Sequence, residues 1–422
     1  MNPVRRYFDW AATAIPDPPP GGTEVPFGNP SSLHAEGRTA RKALEDARAR
    51  CARILGAGAE EIVFTSGGTE SNAIALFSLL AGKRRAGMND KPDGKRAGMN
   101  DGKRAGPDDE TGGGAEAGGK APVELLYWEG EHPSIRENAA ALAALGIPAA
   151  ALPLEPGGRV SVEGFGAALA KRRPRLAAVM AVNNETGAIN DMAALAAARS
   201  GAPGEGGPRI HCDMVQAAGK TPLDPRGWGI DSAALSAHKL GGPRGTGLLW
   251  LKKPLPALVR GGGQEGRIRP GTENTAGALA LARVLERRAE APALEEARRG
   301  AAERMAALMA ALRRTGAFIP IPADRKDEDG RFSPWILQCA FYGKGGRVIP
   351  GEVLVRALDE RGFAVSTGSA CSAGTRKRPV LEGLGLPRET ALGGIRISQG
   401  WTTTGQDVEE LARAVGELLG VL

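Results

Sequence analysis

Residues 236–247 read Ser-Ala-His-Lys-Leu-Gly-Gly-Pro-Arg-Gly-Thr-Gly, and they run directly into the apolar segment Gly247–Leu251 (GLLWL). We interpret this stretch as a lysine held between a buried strand and a glycine-rich turn. In such a place the amine of Lys239 can react with an aldehyde, provided that its surroundings lower its pKa. A solvated lysine before an ordinary Gly-Gly-Pro turn is the competing interpretation, and this stretch alone leaves both open.

The fold class follows from the apolar runs on either side of this stretch. Short runs with the character of buried strands alternate with longer amphipathic stretches that predict helices at 35–55 and 71–81. Continuous apolar strands separated by helices indicate an α/β fold with a mainly parallel sheet covered on both faces. Besides Gly247–Leu251, the predicted strands are 61–65, 124–128, 176–182 and 210–213.

At 422 residues the chain predicts two domains. The strand–helix alternation ends near residues 261–274, and a long Ala/Arg/Glu-rich helix from about residue 276 is followed by mixed segments and a final helix near 407–419. We therefore predict a large domain at 14–260 and a smaller α+β domain formed by 1–13 and 261–422.

The segment 82–120 does not fit either domain. It repeats GKRRAGMND, GKRAGMND and GKRAGPDDE and has almost no large apolar residues. Such a segment cannot bury enough surface to offset the entropy lost on ordering, so we predict a disordered insertion. A tolerated low-complexity expansion is the interpretation we favour over a regulatory or partner-binding role.

Composition excludes several classes of function. The net charge of +7 is spread along the chain and forms no basic run with interleaved aromatic residues, which argues against nucleic-acid binding. The four cysteines include no Cys-x-x-Cys pair, so we expect neither a disulfide framework nor a metal site. The start of the sequence lacks the apolar stretch of a signal peptide, and no apolar run is long enough to cross a bilayer, so we expect a cytoplasmic protein without membrane contact.

Two further segments carry candidate site residues. Asp213 ends the predicted strand 210–213, where it either pairs with a cationic ring nitrogen or caps a helix; Gln216 follows three residues later. Residues 65–72 (TSGGTESN) place glycines between a strand and a helix, which is typical of an anion site. The segment lacks the Gly-Lys-Thr ending of a nucleotide P-loop, which argues against ATP.

Ten motifs along the chain resemble those of the cysteine desulfurases (NifS/IscS-like) of the class V aminotransferase family, which are fold-type-I pyridoxal-phosphate enzymes. They occur in the family's order and extend almost from end to end. In this sequence they are YFDWAAT (7–13), FGNPSSLH (27–34), FTSGGTESN (64–72), EHPSI (131–135), VNNETGAIN (182–190), HCDMVQAAGK (211–220), SAHKLGGPRGTG (236–247), GGGQEGRIRPGTEN (261–274), STGSACSAG (366–374) and IRISQG (395–400).

The resemblance implies pyridoxal 5'-phosphate as the cofactor and assigns a role to each matched residue. Lys239 resembles the Schiff-base lysine, and Asp213 resembles the partner of the pyridine nitrogen. His132 resembles the histidine stacked on the ring face, a position from which it helps to protonate or deprotonate during the reaction. Gln216 and Asn184 resemble the groups beside the phenolic oxygen. The implied phosphate ligands are Gly68, Thr69, Ser236 and His238, with Thr272 supplied by a second subunit.

The implied Thr272 ligand predicts a homodimer with shared active sites. Asn184 also resembles a residue near the substrate carboxylate. Arg396 resembles the arginine that binds this carboxylate, with a surface salt bridge as the alternative. His211 lies two residues before Asp213, and we predict a packing or supporting role for it rather than a catalytic one.

Cys371 selects the reaction, since pyridoxal phosphate supports several chemistries. It lies among Ser, Gly and Ala with Arg376, Lys377 and Arg378 close behind, which predicts an exposed loop that favours the reactive thiolate. By contrast, Cys51 and Cys339 have the apolar neighbours of buried structural cysteines.

The resemblance thus implies conversion of L-cysteine to L-alanine, with sulfur passed through Cys371 to an acceptor such as an iron–sulfur scaffold or a thiolation relay. A selenocysteine lyase or another class V aminotransferase is the alternative that uses the same Lys239 and Asp213. A non-enzymatic scaffold is the alternative from another class, against which the intact set of reactive residues argues.

Overall fold

The computed structural model describes residues 5–18, 25–87, 123–201, 207–327, 329–368 and 377–422. Cys371 and most of the predicted insertion 82–120 lie outside these ranges.

The described residues form strands and helices that we number in chain order. The strands are β1 (Arg6–Tyr7), β2 (Ile62–Thr65), β3 (Leu125–Trp128), β4 (Ala149–Leu152), β5 (Leu176–Ala178), β6 (Arg209–Asp213), β7 (Ser232–Ser236), β8 (Gly247–Leu251), β9 (Phe318–Ile321), β10 (Ile336–Phe341), β11 (Phe363–Ala364) and β12 (Ile395–Ser398). The helices are α1 (Ala35–Ile54), α2 (Gly68–Gly87), α3 (Pro133–Ala144), α4 (Val162–Arg172), α5 (Met192–Ala197), α6 (Thr275–Ala289), α7 (Ala293–Arg313), α8 (Gly351–Glu360), α9 (Pro379–Gly383), α10 (Arg388–Gly393) and α11 (Gly405–Leu419).

A seven-stranded sheet with the order β2-β8-β7-β6-β5-β3-β4 forms the centre of the fold. The pairings from β7 through β6, β5 and β3 to β4 are parallel, whereas β8 is antiparallel to both of its neighbours. Strands β2, β5, β7 and β8 are buried along their whole length, as expected for a sheet covered on both faces. The predicted α/β class with a mainly parallel sheet is confirmed.

The sequence pattern was less accurate at the level of single elements. Only Leu176–Ala178 of the predicted strand 176–182 is a strand, although the amides of Val179 and Ala181 still donate to carbonyl oxygens of β6. Strands β4 and β7 were not predicted; β7 reads Ser-Ala-Ala-Leu-Ser, whose small residues carry little strand signal. Helix α2 begins at Gly68 and continues to Gly87, so the first residues of the predicted insertion are helical.

Helix α1 shows how local sequence and packing agree. His34 caps it, since its Nδ1 accepts a hydrogen bond from the Gly37 amide at 3.3 Å. Its buried side chains, among them Leu44 and Cys51, join the core of the large sheet. Leu281 and Leu285 of α6 belong to the same core, although α6 follows the predicted boundary at 260/261. The two-domain division therefore remains a proposal.

A second core surrounds the antiparallel three-stranded sheet β12-β10-β9. Helices α7, α8 and α11 contribute apolar side chains to it, and Phe8 from the start of the chain joins them. Strand β1 pairs in parallel with β11, which ties the first described residues to the carboxyl-terminal part of the chain. This pairing positions residues 8–13 against the site described below. Within the described ranges, no helix combines the length and the apolar character that crossing a membrane requires.

Candidate active site

A cavity of about 560 Å³ opens where β6 and β7 end and α2 begins. In parallel sheets this edge commonly holds ligands, because helix N-termini and loops converge there. Ten of the predicted site residues line this one cavity: Gly68, Thr69, His132, Asn184, Asp213, Gln216, Ser236, His238, Lys239 and Arg396. Fold topology has thus brought together residues that span more than three hundred positions of sequence.

The N-terminus of α2 supplies the anion-binding side of the cavity. Gly68 starts this helix, and the first amide groups of any helix have no carbonyl partner within it. A Cβ atom on Gly68 would lie 2.6 Å from Cγ2 of Val215, and one on Gly247 would lie 2.5 Å from Cα of Gly67. Glycine is therefore required for the turn to pass this close to its neighbours, and the exposed amides suit a phosphate.

Asp213 is buried at the end of β6 and accepts two described hydrogen bonds. Its Oδ1 accepts from the Val215 amide at 2.9 Å, and its Oδ2 accepts from Nδ2 of Asn72 at 2.8 Å. These donors hold the carboxylate in one orientation at the cavity wall. Such a fixed carboxylate is suited to pair with a cationic ring nitrogen, and we retain that role as a proposal.

His132 caps α3 and lines the cavity at the same time. Its Nδ1 accepts a hydrogen bond from the Ser134 amide at 3.1 Å. Burial lowers the pKa of His132, with the nearby Asp213 carboxylate acting in the opposite direction. A neutral imidazole whose Nδ1 accepts must carry its proton on Nε2, so this ring offers an N–H donor through that atom.

Lys239 lies in a short turn directly after β7. Its Nζ donates to the carbonyl oxygens of Ala11 and Ala12 at 2.6 and 2.7 Å. His238 lies beside it, and its Nδ1 is 3.1 Å from the hydroxyl oxygen of Thr13. Burial, followed by the charge of Lys239, lowers the pKa of His238 to about 4, so this histidine is neutral at neutral pH. The N-terminal segment thus contacts two neighbouring residues of the SAHK motif.

Arg396 lies on β12 with only 2% of its surface exposed. Its Nη2 pairs with Oδ1 of Asp9 at 2.8 Å, and its Nη1 donates to the Asn184 carbonyl at 2.9 Å. Its Nε is buried and has no hydrogen-bond partner in the described part of the chain. A buried, cavity-lining guanidinium with spare donors fits a carboxylate ligand better than the surface salt bridge considered as its alternative.

Of the two remaining predicted site residues, one is described by the structure and one is not. Thr272 is exposed and does not line it, so any contact with a cofactor in this cavity would require it to come from another subunit. Cys371 lies outside the described residues. The other three cysteines are buried free thiols. Burial raises the pKa of Cys51 to about 12 and also raises that of Cys339, which agrees with the predicted buried surroundings of both thiols.

The site also contains groups that sequence reasoning did not assign. Asn72 donates to Asp213, and Asp9 pairs with Arg396. The carbonyl oxygens of Ala11 and Ala12 accept from Lys239. All of them lie inside quoted motifs, YFDWAAT and FTSGGTESN, which was the available signal. His211 donates towards Asn72 and does not line the cavity, which agrees with its predicted supporting role.

The cavity residues fit pyridoxal phosphate. The glycine turn and helix N-terminus suit its phosphate, the held Asp213 carboxylate suits its ring nitrogen, and the Lys239 amine suits its aldehyde. In the described ranges, no group of three or more His, Cys, Asp or Glu residues is arranged to hold a metal ion.

Comparison with known proteins identifies relatives along nearly the whole chain. The family model described as aminotransferase class-V matches residues 6–89 and 115–411. A cysteine desulfurase of Cereibacter sphaeroides is 32% identical, with 94% of this chain and 89% of that protein covered.

Solved structures of similar proteins also align with nearly the whole chain. A NifS-like protein aligns with a TM-score of 0.79 at 27% identity, covering 99% of this chain and 100% of the other. A structure described as SspA in complex with cysteine aligns with a TM-score of 0.70 at 25% identity, covering 93% and 98%.

Proposed function

The chain belongs to the class-V aminotransferase family, and we propose that it is a pyridoxal-phosphate-dependent cysteine desulfurase that converts L-cysteine to L-alanine. The observation that carries the proposal is the convergence of Lys239, Asp213 and Arg396 on one cavity. These side chains supply an amine, a fixed carboxylate and a carboxylate receptor, which are the groups that an amino-acid substrate and this cofactor need. The names of the relatives support cysteine as the amino acid, and one related protein is described in complex with cysteine.

When bound, pyridoxal phosphate supplies an electron sink that stabilises negative charge on the substrate Cα. Asp213 would hold the ring of this cofactor by pairing with a protonated ring nitrogen. Arg396 binds the substrate carboxylate and so fixes which bond at Cα faces the cofactor. Lys239 Nζ takes the Cα proton, and His132, with its proton on Nε2, serves as a second group for proton transfer.

We propose that Cys371 receives the sulfur as a thiolate. Its Sγ forms a bond to the substrate sulfur while the bond from that sulfur to Cβ breaks, and the electron pair of the broken bond remains with the carbon skeleton. Cβ takes up one proton, Lys239 returns to Cα the proton that it removed, and the product leaves as alanine while a persulfide remains on Cys371. A protein such as an iron–sulfur scaffold or a thiolation relay then accepts the sulfur. We place this chemistry in the cytoplasm, whose reducing conditions keep a nucleophilic thiol available.

We also propose that the enzyme is a homodimer. The support is Thr272, an exposed residue that belongs to a family motif but does not line the cavity of its own chain. Mixing subunits carrying Thr272→Ala with subunits carrying Lys239→Ala tests this arrangement. Mixed dimers with one intact site regain activity if Thr272 acts across the interface, whereas activity that stays absent would contradict a shared site.

The decisive experiment replaces Cys371 with serine. A serine hydroxyl is not ionised near neutral pH, so the variant should retain the yellow bound cofactor but form almost no alanine or sulfide from cysteine. In the unmodified enzyme, cysteine without reductant should leave the Cys371 peptide heavier by one sulfur atom in a mass map. The buried Cys339, changed to serine in the same way, serves as the control that keeps sulfur transfer. Undiminished alanine production by the Cys371 variant would refute the desulfurase and favour a lyase or another aminotransferase.

A further inference from the structure

Lys220 is a buried lysine beside the active site that the proposed chemistry does not use. Only 2% of its surface is exposed, and its Nζ donates to Oε1 of Gln216 at 2.9 Å. No carboxylate of the described part of the chain forms an ion pair with it. Burying an ammonium group without a counter-charge costs free energy, so this position calls for a functional explanation.

The hydrogen-bond chemistry of Lys220 fixes the orientation of the Gln216 amide. A lysine side chain presents donors to its neighbours, so the amide must turn its oxygen towards Lys220. Nε2 of Gln216 then points the other way and donates to the Ala11 carbonyl at 2.9 Å. One of its two N–H bonds is used there, and the second remains for the cavity that Gln216 lines.

The same contacts connect Lys220 to the reactive lysine. The Ala11 carbonyl accepts from Gln216 Nε2 and also from Lys239 Nζ, at 2.6 Å in the second case. A continuous series of hydrogen bonds therefore leads from Lys220 through Gln216 and Ala11 to Lys239. Burial lowers the pKa of Lys220 to about 7, and the positive charges of Lys239 and Arg396 act in the same direction.

We propose that Lys220 is a positioning residue that holds the Gln216 amide with its N–H directed at the cofactor's phenolic oxygen. This inference rests on the proposed function, because it concerns the same cofactor. An N–H donor at that oxygen would stabilise the negative charge on the oxygen. This stabilisation would lower the pKa of the Lys239 nitrogen once that nitrogen is joined to the cofactor. Lys220 thereby sets the protonation of Lys239 Nζ without touching the substrate.

The test follows the visible absorbance of the bound cofactor as a function of pH. Lys220→Met removes the donor, so the amide loses its fixed orientation and the midpoint of the absorbance change should rise by roughly one pH unit. Lys220→Arg retains donors and should keep the midpoint close to that of the unmodified enzyme. Lys252→Met, at an exposed lysine that does not line the cavity, is the control for loss of a positive charge.

A double-variant cycle shows whether Lys220 acts through Gln216. In a Gln216→Leu background, Lys220→Met should shift the midpoint by less than half as much as it does in the unmodified background. Equal shifts in both backgrounds, or no shift in either, would overturn the inference. If Lys220→Met does not fold, Lys220→Leu makes the same comparison, since it also removes every donor at this position.

Failure of this inference is distinguishable from failure of the proposed function. A wild-type protein that binds no pyridoxal phosphate would overturn the proposed function and this inference together. A wild-type protein with a pH-dependent cofactor band that Lys220→Met leaves unmoved would overturn the role of Lys220 alone.

Discussion

Asn72 Nδ2 donates to Oδ2 of Asp213 at 2.8 Å, and Oδ1 of the same amide lies 2.9 Å from Nε2 of His211. Since an amide oxygen only accepts, His211 carries its proton on Nε2, and its Nδ1 is left to accept from the Ser232 hydroxyl at 2.8 Å. A neutral ring fits this pattern, because burial lowers the pKa of His211 to about 3. Hydrogen bonds therefore run from Ser232 through His211 and Asn72 to Asp213, the carboxylate proposed to hold the cofactor ring.

Replacing Asn72 with leucine should weaken cofactor binding. Asp213 would lose one of its two described donors, and a hydrogen bond to a charged group is worth about 1.5–3 kcal/mol, so we expect the Kd for pyridoxal phosphate to rise roughly tenfold or more. Titration of the apoenzyme with cofactor, followed by absorbance, measures this change. Ser78→Ala, at another buried polar residue of α2, should leave the Kd unchanged. Equal affinity in the Asn72 variant would show that Asp213 does not need this donor.

Lys239→Ala should abolish covalent retention of the cofactor and all turnover, because no other described amine lines the cavity. Dialysis followed by an absorbance spectrum measures retention. Lys252→Ala is the matched control at an exposed lysine and should retain both cofactor and activity. A Lys239 variant that kept a dialysis-resistant band together with activity would assign the reactive amine elsewhere.

The buried histidine should make the protein sensitive to acid. The pKa of His211 falls from 6.5 to about 3 on folding, so the unfolded chain binds the extra proton first. The neutral His211 contributes fully to the free energy of unfolding above pH 6.5, and this contribution is lost as the pH falls from 6.5 towards 3. By pH 5 the loss amounts to roughly 2 kcal/mol. Urea denaturation at pH 7.5 and pH 5 measures the loss of the free energy of unfolding. His211→Gln should reduce this difference, while His34→Gln, at an exposed helix cap, should not; equal pH dependence in both variants would contradict the assignment.

Deleting residues 88–120 and joining the ends with a short turn should preserve activity and Tm. The sequence of the predicted insertion has almost no large apolar residues with which to form a core, and a shorter connection costs little in chain entropy. The deletion starts at residue 88 rather than 82 because α2 runs to Gly87. Thermal unfolding and cofactor content measure the result. A variant that lost the cofactor or the dimer would show that the segment has a structural role.

The quoted motifs predicted most of the cavity because each one combines a strand end or turn with a reactive residue. Asp213 at the end of an apolar run and Lys239 before a glycine turn are local signals, since the side chain and the backbone feature that presents it are neighbours in sequence. Gly67 and Gly68 are a local signal as well, since they lie next to the helix N-terminus that they open. The strand β7 was missed for the opposite reason, because its burial comes from neighbouring strands and not from its own small side chains.

The sequence by itself determined the α/β class, because this depends on periodicity. Its short motifs, through their resemblance to a known family, predicted the reactive residues and the reaction. The partnerships among them were decided only by the tertiary structure. Asp9 meets Arg396 across 387 positions, and the Ala11 carbonyl meets Lys239 across 228. No local pattern encodes such contacts, since they arise when β1 pairs with β11 and carries the N-terminal segment to the edge of the large sheet.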